Sequence, residues 1–394
     1  MKDSRSELSD TRPMSKLRLM TPGPAVLLPE SLAAEGAANF HHRGLEFKAL
    51  MGHCQSHLRT FMGLGANDWP LILTASGTGA MEAAFLNAVS PGSSIAVFHA
   101  GRYGERWMDF ARAHQIHTYE ITAPYGHTFD LEEVEQLLTR AASLKAVFFQ
   151  DSESSTGTRH RTQELVALIQ RHQPQALIVV DAMTGLGVHP LSIQSGIDVL
   201  ITGSQKSMGI HPGLSLLGLS ERYLNQLHEL HLPRVYFDLR KEFEAQQKQV
   251  TAWTPAIGLM GALGTSLDRI HGLGGAQVLQ ANANLLANSL RAALDHWGIP
   301  LFSKYPGDSV TAFMLPEAGA FIQRLKEEEN LVVASGQGVL EGQILRIGHL
   351  GFISANDMAA TITGIERTFL KIGASYPHGA LAKAQSFLDQ APRL

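Results

Sequence analysis

Short apolar runs alternate with longer amphipathic segments between residues 69 and 219. The six runs are "WPLILT", "SIAVF", "KAVFFQ", "ALIVVD", "DVLIT" and "LSLLGLS". Almost continuous hydrophobicity in short runs is typical of strands that are buried on both faces of a sheet, and the segments between the runs are long enough for helices. The pattern therefore predicts an α/β domain with a mixed, mostly parallel sheet.

A second region follows this alternation. A helical pattern begins near Thr254, which is placed to cap the helix, with Pro255 at the first helical position. The glycines of "HGLGG" interrupt the pattern, and beyond them come a long helix, three strand-like runs and a closing helix. This order predicts a smaller α+β domain. The predicted division is an N-terminal arm over residues 1–20, a large domain over 21–272 and a small domain over 273–394.

Charge and cysteine content narrow the classes of partner. The chain has 32 basic and 36 acidic residues and no basic block that would follow a nucleic acid or an anionic membrane. Cys54 is the single cysteine, which excludes an intrachain disulfide and suits a reducing compartment. The first 20 residues lack the apolar core of a signal peptide, and the last three only loosely resemble a peroxisomal address. We expect a cytoplasmic protein that binds neither nucleic acid nor membrane.

The stretch "TASGTGAMEAAF" joins the first predicted strand to a helix. Ser76, Gly77 and Thr78 would present backbone N–H groups and two hydroxyls at the helix N-terminus, where the dipole favours a phosphate. The stretch has neither the lysine of a Walker loop nor the full GxGxxG spacing, so nucleotide sites are less favoured. The alternative is a glycine-rich turn without a ligand.

Two ionisable residues stand at the ends of later apolar runs. Asp181 ends the run "ALIVVD". Lys206 stands 25 positions after Asp181 and follows the next run, "DVLIT". Asp181 could cap the next segment, or it could keep a heteroaromatic nitrogen protonated. Lysine is seldom buried without a partner, so Lys206 must reach solvent or react, for example as an imine with an aldehyde. A phosphate cradle, an acid and a reactive amine together match the needs of pyridoxal 5′-phosphate (PLP).

The order of motifs resembles that of the class V aminotransferases, which are fold-type I PLP enzymes, and especially the group of alanine:glyoxylate, serine:glyoxylate and serine:pyruvate aminotransferases. The resemblance covers most of the chain. It runs through "MTPGPAVLLP", "FHHRGLEF", "SGTGAMEAA", "SESSTG", "VVDAMTGLG", "GSQKSMGIHPG", "TPAIGL" and "ILRIGHLG".

This resemblance implies roles for the cofactor residues. Lys206 would hold the cofactor as an imine and later move the substrate proton, and Asp181 would pair with the pyridine nitrogen. Tyr103 would stack on the ring, where many relatives have tryptophan, and Thr78 stands where many have histidine; both replacements keep an aromatic face or a donor. The other implied cofactor contacts are Ser76, Gly77, Ser154 and Gln205.

The resemblance also implies substrate and partner contacts. Arg346 would grip the substrate α-carboxylate through its planar guanidinium, and Gly23 would lie at the substrate. Thr251 and Thr254 would reach the phosphate of a neighbouring chain, which implies a homodimer with composite active sites. The spacing of His228 and His231, of His114 and His117, and of His41 and His42 gives no carboxylate or cysteine partner for a metal, so no metal is expected.

The implied function is a ping-pong transfer of an amino group from a small amino acid to a 2-oxo acid such as glyoxylate or pyruvate. No second arginine can be placed in the pocket from the sequence, which favours the neutral donors alanine and serine over acidic ones. One alternative is a lyase or desulfurase on the same fold, although its nucleophilic thiol would have to be Cys54, far upstream. Another is a non-catalytic subunit with a PLP-enzyme fold.

Overall fold

The computed structural model describes residues 17–229, 233–315 and 317–394. Most of the predicted N-terminal arm and His231 lie outside these residues. The strands are β1 (Arg18–Leu19), β2 (Trp69–Thr74), β3 (Ser94–His99), β4 (His117–Thr122), β5 (Leu144–Gln150), β6 (Ser152–Glu153), β7 (Thr158–Arg159), β8 (Leu177–Asp181), β9 (Val199–Gly203), β10 (Leu214–Leu219), β11 (Val310–Met314), β12 (Leu331–Val332), β13 (Ala334–Ser335) and β14 (Ile344–Gly348).

The helices separate these strands and close the chain. They are α1 (Pro29–Ala37), α2 (Leu45–Phe61), α3 (Gly77–Ala88), α4 (Glu105–Ala113), α5 (Leu131–Arg140), α6 (Thr162–His172), α7 (Glu221–Glu229), α8 (Leu239–Gln246), α9 (Ile257–Leu273), α10 (Ala276–Trp297), α11 (Ala318–Glu329), α12 (Ala355–Lys371) and α13 (Ala380–Leu388). Within the described ranges, none of the helices is long and apolar enough to cross a membrane.

A seven-stranded sheet in the order β2-β10-β9-β8-β5-β3-β4 forms the centre of the molecule. Its neighbours pair in parallel except for β10, which is antiparallel to both β2 and β9. All six predicted runs lie in this sheet, so the predicted mixed, mostly parallel architecture is confirmed. The polar edge strand β4 was not predicted, because its "HTYEIT" sequence is largely exposed and lacks an apolar run.

Apolar layers cover both faces of the sheet. Side chains of β5 alternate between them: Val147 and Phe149 pack with α2, α5, α6 and α9, whereas Ala146 and Phe148 pack with α3, α4, α7 and α8. Because the parallel strands are buried on both faces, the polar groups of the central strands are concentrated where the strands end. The register places Gln150 beside Asp181 at that edge.

The C-terminal half forms a second apolar core. Its three-stranded antiparallel sheet has the order β11-β14-β13, and α10 to α13 pack against it. The two glycines between α9 and α10, Gly274 and Gly275, both have positive φ, a conformation that glycine adopts at little cost. They fall close to the predicted domain boundary after residue 272, which stays a prediction.

Two local details differ from the sequence pattern. The end of the predicted arm is part of the C-terminal core, because β1 pairs with β12 and Met20 is buried there. Helix α9 begins at Ile257 rather than Pro255, and Thr254 does not cap it. The backbone N–H of Ala256 donates instead to the Thr74 hydroxyl at 3.0 Å, which holds residues 254–256 against the end of β2.

Candidate active site

One cavity of about 200 Å³ lies where the central strands end. The turn before α3, the start of α4 and the loops after β5, β8 and β9 form its walls. Its lining includes eight of the predicted site residues: Ser76, Gly77, Thr78, Tyr103, Ser154, Asp181, Gln205 and Lys206. The parallel strands deliver these loops to one edge, which is where doubly wound folds bind ligands.

The turn at Ser76 forms one end of the cavity, which we call the anion end. The Ser76 hydroxyl caps α3 by accepting from the Gly79 N–H at 3.2 Å, so the helix starts at the cavity wall. The Arg106 guanidinium of α4 donates to the Thr78 hydroxyl at 3.0 Å. A helix N-terminus and a guanidinium at one place form a strong site for an anion.

Asp181 is buried at the end of β8, with 4 % of its surface exposed. Its carboxylate accepts from the Met183 N–H at 2.9 Å and from the Gln150 amide at 3.4 Å. Burial raises the pKa of Asp181. The two hydrogen bonds oppose that rise, and so do the positive charges of Arg106 and Lys206. A protonated ring nitrogen would add the opposite charge that this carboxylate needs.

Lys206 extends from the turn after β9 into the same cavity. Its Nζ donates to the carbonyl oxygen of Pro22 at 2.6 Å. Burial lowers its pKa to about 8, while the Asp181 charge opposes this shift and the Arg346 and Arg106 charges add to it. An amine with this pKa is partly neutral near physiological pH, as a nucleophilic lysine must be.

Gly23, whose predicted place at the substrate stays a prediction, lies against the Lys206 side chain. Its φ is +125°, and a Cβ there would overlap the lysine, so a larger residue would displace the amine. The N-terminal segment is also tied on both sides of Gly23. Gly348 N–H donates to Met20 O at 2.8 Å, and Ala25 N–H donates to Gln205 O at 2.9 Å.

Arg346 stands on β14, the central strand of the small sheet, with 4 % of its surface exposed. It is not among the described residues that line the cavity, but Ser154 is one of them, and Arg346 donates to the Ser154 carbonyl oxygen at 2.8 Å. It also donates to Ser335 O at 2.8 Å. Burial lowers the pKa of Arg346, although Tyr103 and Glu153 favour its charged form.

A buried carboxylate fixes the loop that carries Tyr103. Glu153 accepts from the Tyr103 and Gly104 N–H groups, both at 3.1 Å, and from the Ser155 N–H at 3.0 Å. The Arg106 guanidinium lies 4.7 Å from the centre of the Tyr103 ring, which favours a cation–π interaction. Tyr103 therefore lies against the anion-binding arginine, and it also favours the charged form of the arginine predicted to bind substrate.

The structure adds residues that the sequence did not reveal. Arg106 lines the cavity, which corrects the expectation that no second arginine reaches the pocket. Its place on the amphipathic helix α4 is also typical of an arginine exposed to solvent. Met183 follows Asp181 by two positions, and the absence of side chains at Gly77 and Gly203 leaves room for its thioether. The added lining residues are Met81, Arg106, Gln150, Ser152, Met183 and Thr184.

Thr251 and Thr254 lie elsewhere in the single chain. Thr251 donates to Trp253 O at 2.6 Å, and both threonines line a separate small cavity beside Tyr236. Neither lines the cofactor cavity, so their predicted contact with a partner chain stays a prediction.

Two unpaired polar atoms in the wall of the cavity are consistent with a bound PLP. The Thr184 hydroxyl and the Gln150 side-chain oxygen are buried and have no hydrogen-bond partner among the described residues, and both residues line the cavity. Buried polar atoms of this kind are costly unless a ligand or water pairs with them. Together with the anion end, the buried acid and the lysine, they form a site suited to a phosphorylated pyridine aldehyde.

Comparisons with known proteins agree with this geometry. A family model described as aminotransferase class-V matches residues 28–348. A soluble hydrogenase 42 kDa subunit from Anabaena cylindrica is 34 % identical over 91 % of this chain and 94 % of its own. The solved aspartate aminotransferase of subgroup IV from Thermus thermophilus is 28 % identical, with a TM-score of 0.83 over 90 % of this chain and 99 % of its own. The solved alanine–glyoxylate aminotransferase from Nostoc sp. is also 28 % identical. Its TM-score is 0.81, and the match covers 94 % of this chain and 100 % of its own.

Proposed function

The chain belongs to the class V aminotransferases and is a PLP-dependent transaminase, and on this premise we propose that it transfers an amino group from alanine or serine to glyoxylate or pyruvate by a ping-pong mechanism. The observation that carries the proposal is Arg346, a buried guanidinium close enough for its charge to lower the Lys206 pKa. It would bind the α-carboxylate that both donors and both acceptors share.

The cavity favours small substrates. Its volume of about 200 Å³ must also hold the cofactor, which leaves little room for a long donor side chain. When bound, the cofactor supplies the electron sink for the bonds at the substrate Cα. Lys206 would anchor it and move the proton at its Nζ, Asp181 would hold the ring nitrogen charged, and Arg346 would orient the substrate.

Acidic donors are a second candidate, because Arg106 places another guanidinium in the cavity. Its bond to Thr78 puts it at the anion end, where the cofactor phosphate would compete for it. The related Thermus thermophilus structure is described as an aspartate aminotransferase. Aspartate is therefore the donor against which alanine and serine should be compared.

A donor panel tests the proposal. The holoenzyme is mixed with alanine, serine, aspartate or glutamate without acceptor, and loss of the cofactor's visible band is followed. We expect the largest kcat/KM for alanine or serine. A preference for aspartate that is lost selectively in Arg106→Lys, measured as the aspartate-to-alanine ratio, would establish the acidic candidate instead.

The burial of Cys54 argues against the sulfur-transfer alternative. This thiol is 0 % exposed inside α2, and burial raises its pKa to about 12. A thiol must ionise and reach substrate to act as a nucleophile. Since the sequence has no other cysteine, a cysteine-based desulfurase mechanism has no nucleophile in this chain.

Replacing Arg346 with lysine should weaken substrate binding. Lysine keeps the charge but not the paired donors of a guanidinium, so we expect KM to rise on the order of tenfold for donor and acceptor alike, about 1.4 kcal/mol. Tyr103→Phe, which removes a hydroxyl that favours the charged form of Arg346, should give a smaller rise in the same direction. Unchanged KM values with a normal visible spectrum would remove Arg346 from the substrate site.

We also infer a homodimer with composite active sites. Thr254 is exposed and lies outside the cofactor cavity of its own chain, which leaves it available to a neighbouring chain, and the buried Thr251 lies three positions before it. Most soluble homo-oligomers have two-fold symmetry. Sedimentation velocity at assay concentration should show a dimer, and a fully active monomer would contradict the inference.

A further inference from the structure

A cluster of three histidines and an aspartate joins α2 to α9. His53 and His57 are four positions apart on α2, and Asp268 and His271 are three apart on α9. Both spacings place side chains on one face of a helix. The helices approach closely at Gly264, where a Cβ would lie 2.8 Å from a methyl carbon of Leu50. None of the four residues lines the cofactor cavity.

The potential ligand atoms of this cluster already converge. His53 Nε2 lies 2.7 Å from Asp268 Oδ1, and His57 Nε2 lies 3.5 Å from the same oxygen. One ligand atom from each of these residues lies within 4.8 Å of the others. Zinc–ligand distances of about 2.0–2.1 Å in a tetrahedral site imply about 3.3 Å between ligand atoms. The two distances from Asp268 Oδ1, 2.7 and 3.5 Å, lie on either side of this value.

His271 extends the cluster beyond an ordinary ion pair. Its ring centre lies 4.8 Å from that of His57, and the His53 and His57 rings are 4.6 Å apart. One carboxylate pairs well with one imidazole, so a second and a third imidazole at this place need another explanation.

The cluster is also accessible. The side chains of His53 and Asp268 are 42 % and 59 % exposed, so an ion could enter without local unfolding. Imidazole and carboxylate ligands suit zinc, nickel and cobalt better than magnesium, which prefers oxygen ligands alone.

We propose that His53, His57 and Asp268, with His271 as a fourth candidate ligand, bind one divalent transition-metal ion of the zinc type and thereby link α2 to α9. The sequence could not indicate this site, because its two halves lie 215 positions apart. The site is independent of the donor and acceptor that the enzyme uses.

Metal titration of the untagged holoenzyme tests the site. After treatment with a chelator, the enzyme is titrated with Zn²⁺ by calorimetry, and thermal melting is compared with and without the ion. We expect one ion per chain and a higher Tm that EDTA reverses, with no effect from Mg²⁺. His57→Gln and Asp268→Asn should each weaken Zn²⁺ binding by at least ~10-fold, since even groups that only support a ligand contribute 10–100-fold.

His172→Gln is the matched control. His172 Nε2 forms a similar pair with Glu135 at 2.8 Å, also between two helices, and its loss should leave Zn²⁺ affinity unchanged. His53→Gln, at a more exposed position, serves if His57→Gln does not fold, and the visible cofactor band reports folding in each variant. Absence of saturable Zn²⁺ binding in the wild type, or equal binding in the cluster variants, would overturn the proposal.

Discussion

Lys206→Ala is expected to fold but to lose transaminase activity and the yellow colour of the bound cofactor. Lys206 is the lysine that lines the cavity, and the lost amine would serve both as covalent anchor and as proton carrier. Activity is measured with alanine and pyruvate, and borohydride reduction followed by peptide mass spectrometry locates the cofactor in the wild type.

Lys145→Ala is the control for this experiment, since Lys145 lies near the opposite end of β5. It should keep both colour and activity. Attachment of the cofactor to a lysine other than Lys206 would show that the assignment is wrong, as would normal turnover in Lys206→Ala.

The lowered pKa of Lys206 gives this assignment a pH signature. Burial brings the pKa of the free amine to about 8, and only the neutral amine attacks an aldehyde. In cofactor-free enzyme, the neutral fraction rises with pH and approaches its maximum above the pKa. The rate of covalent cofactor attachment should therefore increase as pH rises through 8 and then level off.

Asp181→Asn is expected to slow removal of the substrate Cα proton by ~100-fold or more, which is about 2.7 kcal/mol. Asparagine keeps an oxygen that can accept from the Met183 N–H, so the loop should persist while the negative charge is lost. A ring nitrogen without a carboxylate partner is less readily protonated, and the electron sink becomes weaker.

Glutamate at position 181 tests charge separately from geometry. Asp181→Glu keeps the charge at a shifted position and should retain more activity than Asp181→Asn. The measurement is a single-turnover reaction with alanine, followed through the visible band. A near-normal rate in Asp181→Asn would assign the role to another residue.

The sequence predicted the central sheet well because its strands are buried on both faces, which produces unbroken apolar runs. The edge strand β4 could not be recognised by the same criterion, since only one of its six residues is buried. Strand β1 has only two residues and pairs with β12, more than 300 positions along the chain. Such a short, long-range pairing leaves no periodic pattern.

The sequence pattern indicated Asp181, which ends an apolar run, and Lys206, which follows one by four positions. Arg106 was missed because an arginine on an amphipathic helix resembles any solvated charge, and only the tertiary structure turns it towards Thr78. Arg346 was indicated by family resemblance, but its hydrogen bond with the Ser154 carbonyl oxygen depends on how two separate sheets meet.

The N-terminal segment connects the two halves of the molecule through very little chain. Met20 O is held by Gly348 on the strand that carries Arg346, and Pro22 O accepts from Lys206. Two residues of extended chain span at most about 7 Å, so the segment acts as a short tether with almost no slack. Any swing of the small sheet away from the large one must pull on the Pro22 carbonyl, and deletion of residues 1–24 would cut this mechanical link while leaving the other groups around Lys206 in the chain.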